Sequence, residues 1–218
     1  MGDLMSLLPP LLQGLQVTLK VTGGAILLAV PLAILAGLLR LSTWRLARWP
    51  AIAYIEIFRG TSALVQLFWV YYVLPLFGIT FPAITAGIIV LGLNSGAYGA
   101  EVVRGAVQGV ARGQREAAIA LNLTPLHTLR RIVLPQAVAA MLPPAGNLFI
   151  ELLKNTALVS LITIADLTFR AQLLRADTLR TLEIFGLVLV LYFAVALCIT
   201  GAVRWLERRL ARRRGERA

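Results

Sequence analysis

The chain has 218 residues, of which 59% are hydrophobic and 14% are charged, and its mean hydropathy is +0.82. A soluble domain is typically about 45–50% apolar and about 25% charged, so this composition excludes an ordinary soluble protein and indicates several membrane spans. The net charge of +11 does not require nucleic acid as a partner. The basic residues lie in short clusters between apolar runs and in a C-terminal tail, where topology and anionic lipid explain them.

The first apolar run predicts a membrane span over residues 11–39. We expect Pro9-Pro10 to end any helix that precedes this span. We also expect Gly23-Gly24 and Pro31 to interrupt or bend it.

The second span is predicted over residues 51–77 and ends in an aromatic run, 68–72, which favours a lipid-facing belt over a ligand-stacking surface. After a loop without charges, the third span is predicted over residues 83–103. Its Gly92 and Gly96 have the spacing that permits close contact with another helix.

The segment 104–135 is too polar to cross a membrane, and it predicts two short helices within a loop. Residues 112–121 have apolar positions at helical spacing, and Thr124 can cap a second helix that has Pro125 at its first position. A helical pair of this kind between spans indicates a docking surface rather than a simple connector.

The fourth span is predicted over residues 136–163, with breaks at Pro143-Pro144 and at the polar patch 151–156. An amphipathic segment at 165–181 is expected at the membrane interface, and the fifth span is predicted over 182–203. The predicted fold is therefore all-α and polytopic, with five transmembrane helices in one transmembrane domain that covers residues 1–218.

The distribution of arginines predicts the orientation of these spans. The loop after the first span has three arginines, segment 104–135 has five and the C-terminal tail has seven, whereas the loop after the second span has none. Because cytoplasmic loops carry the excess of basic residues, we expect the N-terminus outside and the C-terminus in the cytoplasm of a prokaryote. Segment 104–135 is then cytoplasmic, and segment 165–181 fits this rule least well.

Several kinds of chemistry are not supported by the sequence. It has one histidine, His127, and one cysteine, Cys198, and it contains neither a Walker-type nucleotide loop nor the Cys and His spacing of a metal site. Its serines have no pattern that indicates an activated nucleophile. We therefore expect no catalytic residue, metal or cofactor in this chain, and we interpret Cys198 as a packing residue.

Three acidic residues each precede a basic residue by three positions, a spacing that permits ion pairs within one helix. These pairs are Glu56–Arg59, Glu101–Arg104 and Glu151–Lys154. For the first two, structural neutralisation and a role in transport both remain open. The third lies deep in the fourth span beside Asn155 and Thr156, where a charge is costly unless it is paired or hydrated, and this favours a water-filled pathway.

Segment 104–135 resembles the signature loop of the membrane subunits of ABC importers. That pattern is Glu-Ala-Ala, three residues, Gly, nine residues, Ile, one residue and Leu-Pro. The spacing agrees throughout, and the one departure is an Asn where the family usually has Gly; Asn is the next most tolerant residue for positive φ. The matching residues are Glu116, Ala117, Ala118, Asn122, Ile132, Leu134 and Pro135.

Further stretches look like the polar amino acid permeases of that family, the histidine/glutamine/arginine permease-like branch, and the resemblance covers about residues 13–208. Ser62 replaces a Pro that is usual in the family. The stretches are Glu56-Ile-Phe-Arg-Gly-Thr-Ser62, Leu64-Val-Gln-Leu-Phe68, Tyr98-Gly-Ala-Glu-Val-Val-Arg-Gly105, Gly113-Gln-Arg-Glu116, Leu134-Pro-Gln-Ala137 and Lys154-Asn-Thr-Ala-Leu-Val-Ser160.

The resemblance implies a permease subunit of a type I ABC importer that moves a polar amino acid by alternating access. Its partners would be a second permease subunit, identical or related, a cytoplasmic ATPase dimer that binds Mg-ATP, an extracytoplasmic amino acid-binding protein, and membrane lipid. The residues expected to couple it to the ATPase are Arg115, Glu116, Ala117, Ala118, Leu121 and Asn122.

The substrate is expected to bind polar groups of the third and fourth spans. An amino acid needs an anion for its ammonium group, which Glu101 would supply, and donors for its carboxylate, which Asn155, Thr156 and Ser160 would supply. The predicted set is Tyr98, Glu101, Glu151, Lys154, Asn155, Thr156 and Ser160.

Two other interpretations compete with this one. A self-sufficient secondary transporter or channel would use the same buried charges, but it has no need of an ATPase-docking loop. A membrane scaffold without a pathway would not need Glu151 and Lys154 deep in the bilayer. The identity of the amino acid and the choice between homodimer and heterodimer stay open.

Overall fold

In the computed structural model, residues 2–213 have a described backbone and residues 6–210 have described side chains, and all regular structure in this part is helical. Arginines 214 and 217 of the predicted basic tail lie outside it. Short 3-10 or π-helical turns cover Trp69–Val73, Leu74–Phe77, Leu129–Val133 and Thr156–Ile162. The α-helices are α1 (Gly2–Arg40), α2 (Arg45–Gly60), α3 (Ala63–Phe68), α4 (Ala83–Gln108), α5 (Arg112–Ala120), α6 (Pro125–Thr128), α7 (Leu134–Asn155), α8 (Leu167–Thr178) and α9 (Thr181–Arg213).

Four helical stretches in the described part are long and apolar enough to cross a membrane: residues 6–40, 83–108, 125–162 and 181–210. A fifth crossing results if α2 and the segment Ala63–Phe77 form one span, although the two halves are bent by 103°. The all-α, polytopic architecture predicted from composition is thus what the chain adopts.

Small residues bring α1 and α4 into close contact along much of their length. Gly92 and Gly96 of α4 both face α1, as their spacing predicts. A methyl group added at Gly99 would lie 2.7 Å from the Cβ atom of Ala33, which is closer than two non-bonded carbon atoms can approach. Glycine at this position therefore sets the distance between the two backbones.

The prolines do not end or break the helices that contain them, contrary to expectation. Pro9, Pro10 and Pro31 lie inside α1, and Pro143 and Pro144 lie inside α7. Each proline removes one backbone hydrogen bond. In an apolar surrounding, however, the neighbouring peptide groups cannot form hydrogen bonds with water. More of them are hydrogen-bonded if the helix continues than if it ends.

The predicted second span is not one continuous helix. The chain leaves the helical conformation at Thr61 (φ −123°, ψ 152°) and Ser62 (φ −69°, ψ 133°), just after Gly60. Glycine weakens the helix, and both following hydroxyl residues favour helix ends over helix interiors. The break turns the chain sharply beside α4.

At the end of the bundle where the chain passes between α7 and α9, α8 packs against α1 and α9. Leu11, Leu167 and Ile184 form a fully buried cluster there. The Thr18 hydroxyl oxygen accepts a hydrogen bond of 3.1 Å from the backbone N–H of Leu167. The predicted amphipathic segment is therefore fixed to the bundle by its apolar face.

Candidate functional site

A small polar cleft lies between α4 and α7, formed by Asn94, Ser95, Tyr98, Glu151 and Asn155 with three leucines around them. Asn94 and Tyr98 are one turn apart on α4, and Glu151 and Asn155 are one turn apart on α7, so each helix directs a polar pair to the same space. The cavity volume is about 10 Å³, which is room for about one water molecule.

Three of the seven predicted substrate residues meet in this cleft: Tyr98, Glu151 and Asn155. Lys154 is exposed and does not line it. The ion pair that the spacing of Glu151 and Lys154 permits does not form, because the salt bridges of the described side chains do not include it. Glu151 is exposed as well, so its carboxylate is available to a group from outside this chain.

The two predicted hydroxyl groups are used differently from what was expected. Thr156 and Ser160 are buried in the 3-10 turn after α7. The Thr156 hydroxyl donates to the carbonyl of Leu153 (2.6 Å), and the Ser160 hydroxyl donates to the carbonyl of Ala157 (2.7 Å). In this conformation both donors satisfy the backbone of the turn.

Glu101 belongs to a separate group, an arginine–glutamate cluster made of Arg40, Glu56, Glu101 and Arg104. Oε1 of Glu101 lies 2.5 Å from Nη1 of Arg40, and Oε2 lies 2.8 Å from Nη2 of Arg104. The predicted Glu101–Arg104 pair is confirmed, and Arg40 joins it from the end of α1. Both carboxylate oxygens are therefore occupied by cations of this chain.

The other predicted pair, Glu56–Arg59, is wrong. Glu56 lies 3.3 Å from Nη2 of Arg40 on the neighbouring helix. The guanidinium carbon of Arg59 lies 5.4 Å from the centre of the Tyr98 ring, within the range of a cation–π interaction. Arg59 thus stacks against a residue of the polar cleft.

Amide side chains hold the break between α2 and α3. Nε2 of Gln66 donates to the Thr61 hydroxyl (2.6 Å) and to the carbonyl of Phe58 (3.0 Å). Nδ2 of Asn94 donates to the same Phe58 carbonyl (3.0 Å) and to Oε1 of Gln66 (3.2 Å). The role of Gln66 was not predicted. A single amide in an apolar stretch just after a helix breaker does, however, indicate a side chain that bonds the freed backbone groups.

The loop between α4 and α7 contains the helix pair predicted from sequence. Helix α5 covers Arg112–Ala120, and α6 has Pro125 in its first turn and the Thr124 hydroxyl as its cap. Asn122 has φ +55°. The N–H of Asn122 donates to Ile119 and that of Leu123 to Ala118, which is the Schellman arrangement at a helix end.

The signature residues of this loop have different surroundings. Glu116 and Ala117 are exposed, whereas Ala118 is fully buried. Nη2 of Arg115 donates to the carbonyl of Val107 (2.7 Å), which fastens α5 to the end of α4. Three large apolar side chains on this face are more than 70% exposed, and a surface of this kind typically binds another protein; they are Ile119, Leu121 and Leu126.

Asp166 is a buried carboxylate that has no cation partner among the described side chains. It caps α8, and its Oδ1 atom accepts a hydrogen bond of 2.9 Å from the N–H of Phe169. Its Oδ2 atom is buried and has no hydrogen-bond partner among the described residues. Burial raises the pKa of Asp166 from 3.8 to about 6, because a low-dielectric surrounding disfavours the charged form.

The described side chains include no group of three or more His, Cys, Asp or Glu residues that could hold a metal ion. The polar cleft, with one carboxylate and two amides, offers hydrogen bonds and charge to an organic solute. It contains no serine, cysteine or threonine paired with a general base, which nucleophilic catalysis needs.

Comparison with known sequences identifies similar proteins across nearly the whole chain. Residues 29–212 match the family described as "binding-protein-dependent transport system inner membrane component". The probable amino-acid ABC transporter permease y4tF of Sinorhizobium fredii is 43% identical, over 96% of this chain and 91% of that protein. The glutamine transport system permease GlnP of Escherichia coli is 37% identical (93% and 94%), and the L-cystine permease TcyB of Bacillus subtilis is 35% identical (94% and 88%).

Solved structures of ABC transporters also share this fold. A chain from the crystal structure of an amino acid ABC transporter with histidines has a TM-score of 0.88 and 38% identity, over 95% of this chain and 97% of that one. A chain of the inward-facing MetNI methionine ABC transporter has a TM-score of 0.76 and 20% identity, over 94% and 98%. The second likeness concerns the fold alone.

Proposed function

The chain belongs to the family of binding-protein-dependent transport system inner membrane components, and we propose that its substrate is a polar amino acid. It is a membrane-embedded permease subunit of an ABC importer, and ATP hydrolysis belongs to a partner subunit. The family implies an ATPase and a substrate-binding protein as partners, and an inner-membrane, multi-pass location. The alternative of a self-sufficient secondary transporter or channel is not favoured.

The polar cleft is the observation that carries the substrate proposal. Glu151 offers a carboxylate to an ammonium group, and the amide of Asn155 offers donors to a carboxylate, with the hydroxyl of Tyr98 beside them. Relatives that are 35–37% identical are permeases for glutamine and for cystine, two amino acids. Charge and hydrogen bonding in the cleft therefore match the chemistry that amino acids share.

Within the predicted set, the geometry favours Tyr98, Glu151 and Asn155 as substrate contacts, because these three line the cleft. Lys154 is exposed and lies next to Asn155 in the sequence. Glu101 already pairs with two arginines, and the hydroxyls of Thr156 and Ser160 bond to their own backbone. A cleft of about 10 Å³ is too small for an amino acid, so transport requires α4 and α7 to separate. Such opening is the motion that alternating access provides.

Reconstituted uptake tests this proposal. Vesicles containing the full transporter are given a panel of labelled amino acids, sugars and peptides, and the Asn155→Ala variant is compared with Asn147→Ala, an exposed asparagine of α7 outside the cleft. We expect uptake of one or more polar amino acids, at least a tenfold loss with Asn155→Ala and little change with Asn147→Ala. Uptake of another solute class, or equal behaviour of the two variants, would contradict the proposal.

We propose further that exposed Glu116 and Ala117, with Leu121, contact a groove of the ATPase, and that Arg115, Ala118 and Asn122 shape α5 for this contact. Glu116→Lys is expected to abolish co-purification of the ATPase while the membrane domain still inserts. Asp177→Lys, the same reversal at an exposed site on α8, is the control and should leave the complex intact. Co-purification of the ATPase with the Glu116→Lys variant would contradict the proposal that Glu116 contacts the ATPase.

The arginine distribution supports a cytoplasmic position for the loop that contains α5 and for the C-terminus, with the N-terminus outside. We propose that two permease subunits, identical or paired with a sister chain, enclose the pathway, and that Mg-ATP binds only to the ATPase partner. Labelling of single cysteines placed at Leu121 and Leu182, in a background without Cys198, tests the orientation: an impermeant reagent added outside should modify only the second.

A further inference from the structure

An apolar groove opens between α1 and α9, with α4 and α7 as its floor. Val30 and Ile34 of α1 form one wall, Met141 and Phe149 of α7 line the floor, and Leu206 is the α9 residue that lines it. Its volume is about 350 Å³, and Ser95 is the one polar residue among those that line it. This volume falls within the range of roughly 300–1,000 Å³ that is usual for ligand pockets.

Three exposed arginines lie close to Leu206 along α9; Arg209 shares its face of the helix, whereas Arg204 and Arg208 lie on the opposite face. Arg204, Arg208 and Arg209 are all exposed, and Glu207 is the only acidic residue in this part of α9. Arg209 lies one helical turn beyond Leu206, so both face the same side of α9. The guanidinium carbon of Arg209 lies 5.2 Å from the ring centre of Trp205, which is itself 59% exposed.

The depth of the groove agrees with a position in one bilayer leaflet. On α1, Val30 lies ten residues before Arg40, where the helix ends, which corresponds to about 15 Å along the axis. The α1 wall, from Val30 to Ile34, therefore lies about 9–15 Å inside the helix end, within one half of a hydrocarbon core of roughly 30 Å. Tryptophan and arginine are the residues typical of that headgroup level.

We propose that this groove, together with Arg209 and Trp205 beside it, forms a binding site for an anionic phospholipid. An acyl chain would lie against α1, α4 and α7. The headgroup phosphate would accept hydrogen bonds from Arg209, and Arg204 and Arg208 on the opposite face of α9 would add to the positive potential at this level. Trp205 would hold the headgroup region at the interface.

Charge argues against a second copy of this chain as the occupant. A symmetric contact places the same patch on both subunits, so a contact made through the end of α9 would bring arginines opposite arginines. An anionic lipid neutralises the same patch. The proposal needs only that the chain spans a membrane, and it does not depend on which solute is transported.

Native mass spectrometry of the full transporter tests this site. The complex is titrated with phosphatidylglycerol or phosphatidylcholine, and bound lipid is counted for the wild type, Arg209→Gln and Ala145→Phe, which fills the groove. The matched control is Arg175→Ala, an exposed arginine of α8. We expect at least one phosphatidylglycerol that phosphatidylcholine does not replace, with about fivefold weaker binding for Arg209→Gln. We also expect loss of the lipid with Ala145→Phe and no effect of Arg175→Ala.

Other outcomes would overturn the proposal. Equal retention of both lipids, or equal loss in the Arg175→Ala control, would mean that charge at this site is not recognised. Competition by inorganic phosphate alone would indicate an anion site without an acyl chain. Unchanged lipid binding by Ala145→Phe together with loss of the permease dimer would assign the groove to a second copy. If Ala145→Phe fails to fold, the phosphatidylglycerol preference of the arginine variant decides the question by itself.

Discussion

Two acidic residues, Glu101 on α4 and Glu151 on α7, have opposite surroundings. In the arginine–glutamate cluster, both oxygens of Glu101 are paired with arginines from two helices. In the polar cleft, Glu151 has no ion pair within the described residues and is exposed. Saturated charges connect α1, α2 and α4, whereas unsaturated ones leave bonding capacity for a molecule from outside. Whether a carboxylate is already paired therefore distinguishes structural acids from candidate transport acids better than its depth in the membrane does.

The largest effect is expected when the saturated cluster is broken. Glu101→Gln leaves Arg40 and Arg104 without their shared anion, and the side chain of Glu101 is only 19% exposed. We expect a loss of about 3 kcal/mol in the free energy of unfolding, measured by denaturation in detergent or bicelles. The control is Glu183→Gln, which removes a more exposed pair with Arg180 and should cost less than about 1 kcal/mol. Equal costs would show that Glu101 is not structural.

Asp166 sharpens the comparison because it is a carboxylate that is buried but unpaired. Its pKa of about 6 in the folded chain exceeds the ordinary 3.8, so the folded state holds this proton more tightly than the unfolded chain does. Its contribution to stability is therefore full below about pH 4 and is lost as the pH rises to about 6.

Asp166→Asn should remove that pH dependence. Above pH 6 the variant is expected to be more stable than the wild type by an amount on the order of 2 kcal/mol. The measurement is the difference in unfolding free energy between the two proteins from pH 4 to pH 7. A difference that stays constant over this range would contradict the raised pKa.

Glu151→Gln probes the unsaturated region, where function should change and stability should not. The amide keeps the size of the side chain but removes the negative charge offered to an ammonium group. We expect uptake to fall at least tenfold, which corresponds to about 1.4 kcal/mol, with an unchanged denaturation midpoint. A large loss of stability would place Glu151 with the structural acids, and unchanged uptake would remove it from the pathway.

The smallest effect is expected at Arg59, which stacks on Tyr98 and forms no ion pair with another described side chain. Arg59→Ala should cost less than about 1 kcal/mol of stability, the usual size of an exposed cation–π interaction. Arg59→Lys keeps the charge and should retain most of it. A cost as large as that of Glu101→Gln would mean that Arg59 supports the helix break beyond its contact with the ring.

Local signals in the sequence were sufficient for the loop between α4 and α7. The Thr124 cap, Pro125 in the first turn of α6 and the positive φ of Asn122 all depend on residues within a few positions of each other. The same holds for Glu101 and Arg104, which are neighbours on one helix. Short-range chemistry of this kind needs no knowledge of which helices pack together.

Contacts between helices could not be predicted from such local signals. The partner of Glu56 is Arg40, on another helix, so the spacing of Glu56 and Arg59 was misleading. The break after Gly60 is held by Asn94, which is 36 positions away from Phe58. The predicted breaks at the prolines of α1 and α7 were wrong. Proline ends helices readily in soluble proteins, where water can bond the freed peptide groups, but less readily in an apolar helix.

The break after Gly60 has a consequence for how the chain is assembled in the membrane. Helix α2 has 16 residues, or about 24 Å, which is shorter than a hydrocarbon core of roughly 30 Å. The Phe58 carbonyl freed at the break accepts one hydrogen bond from Gln66 of α3 and a second from Asn94 of α4. During biosynthesis the first bond can form as soon as α3 has been made, whereas the second must wait for α4, so α4 completes and locks the break.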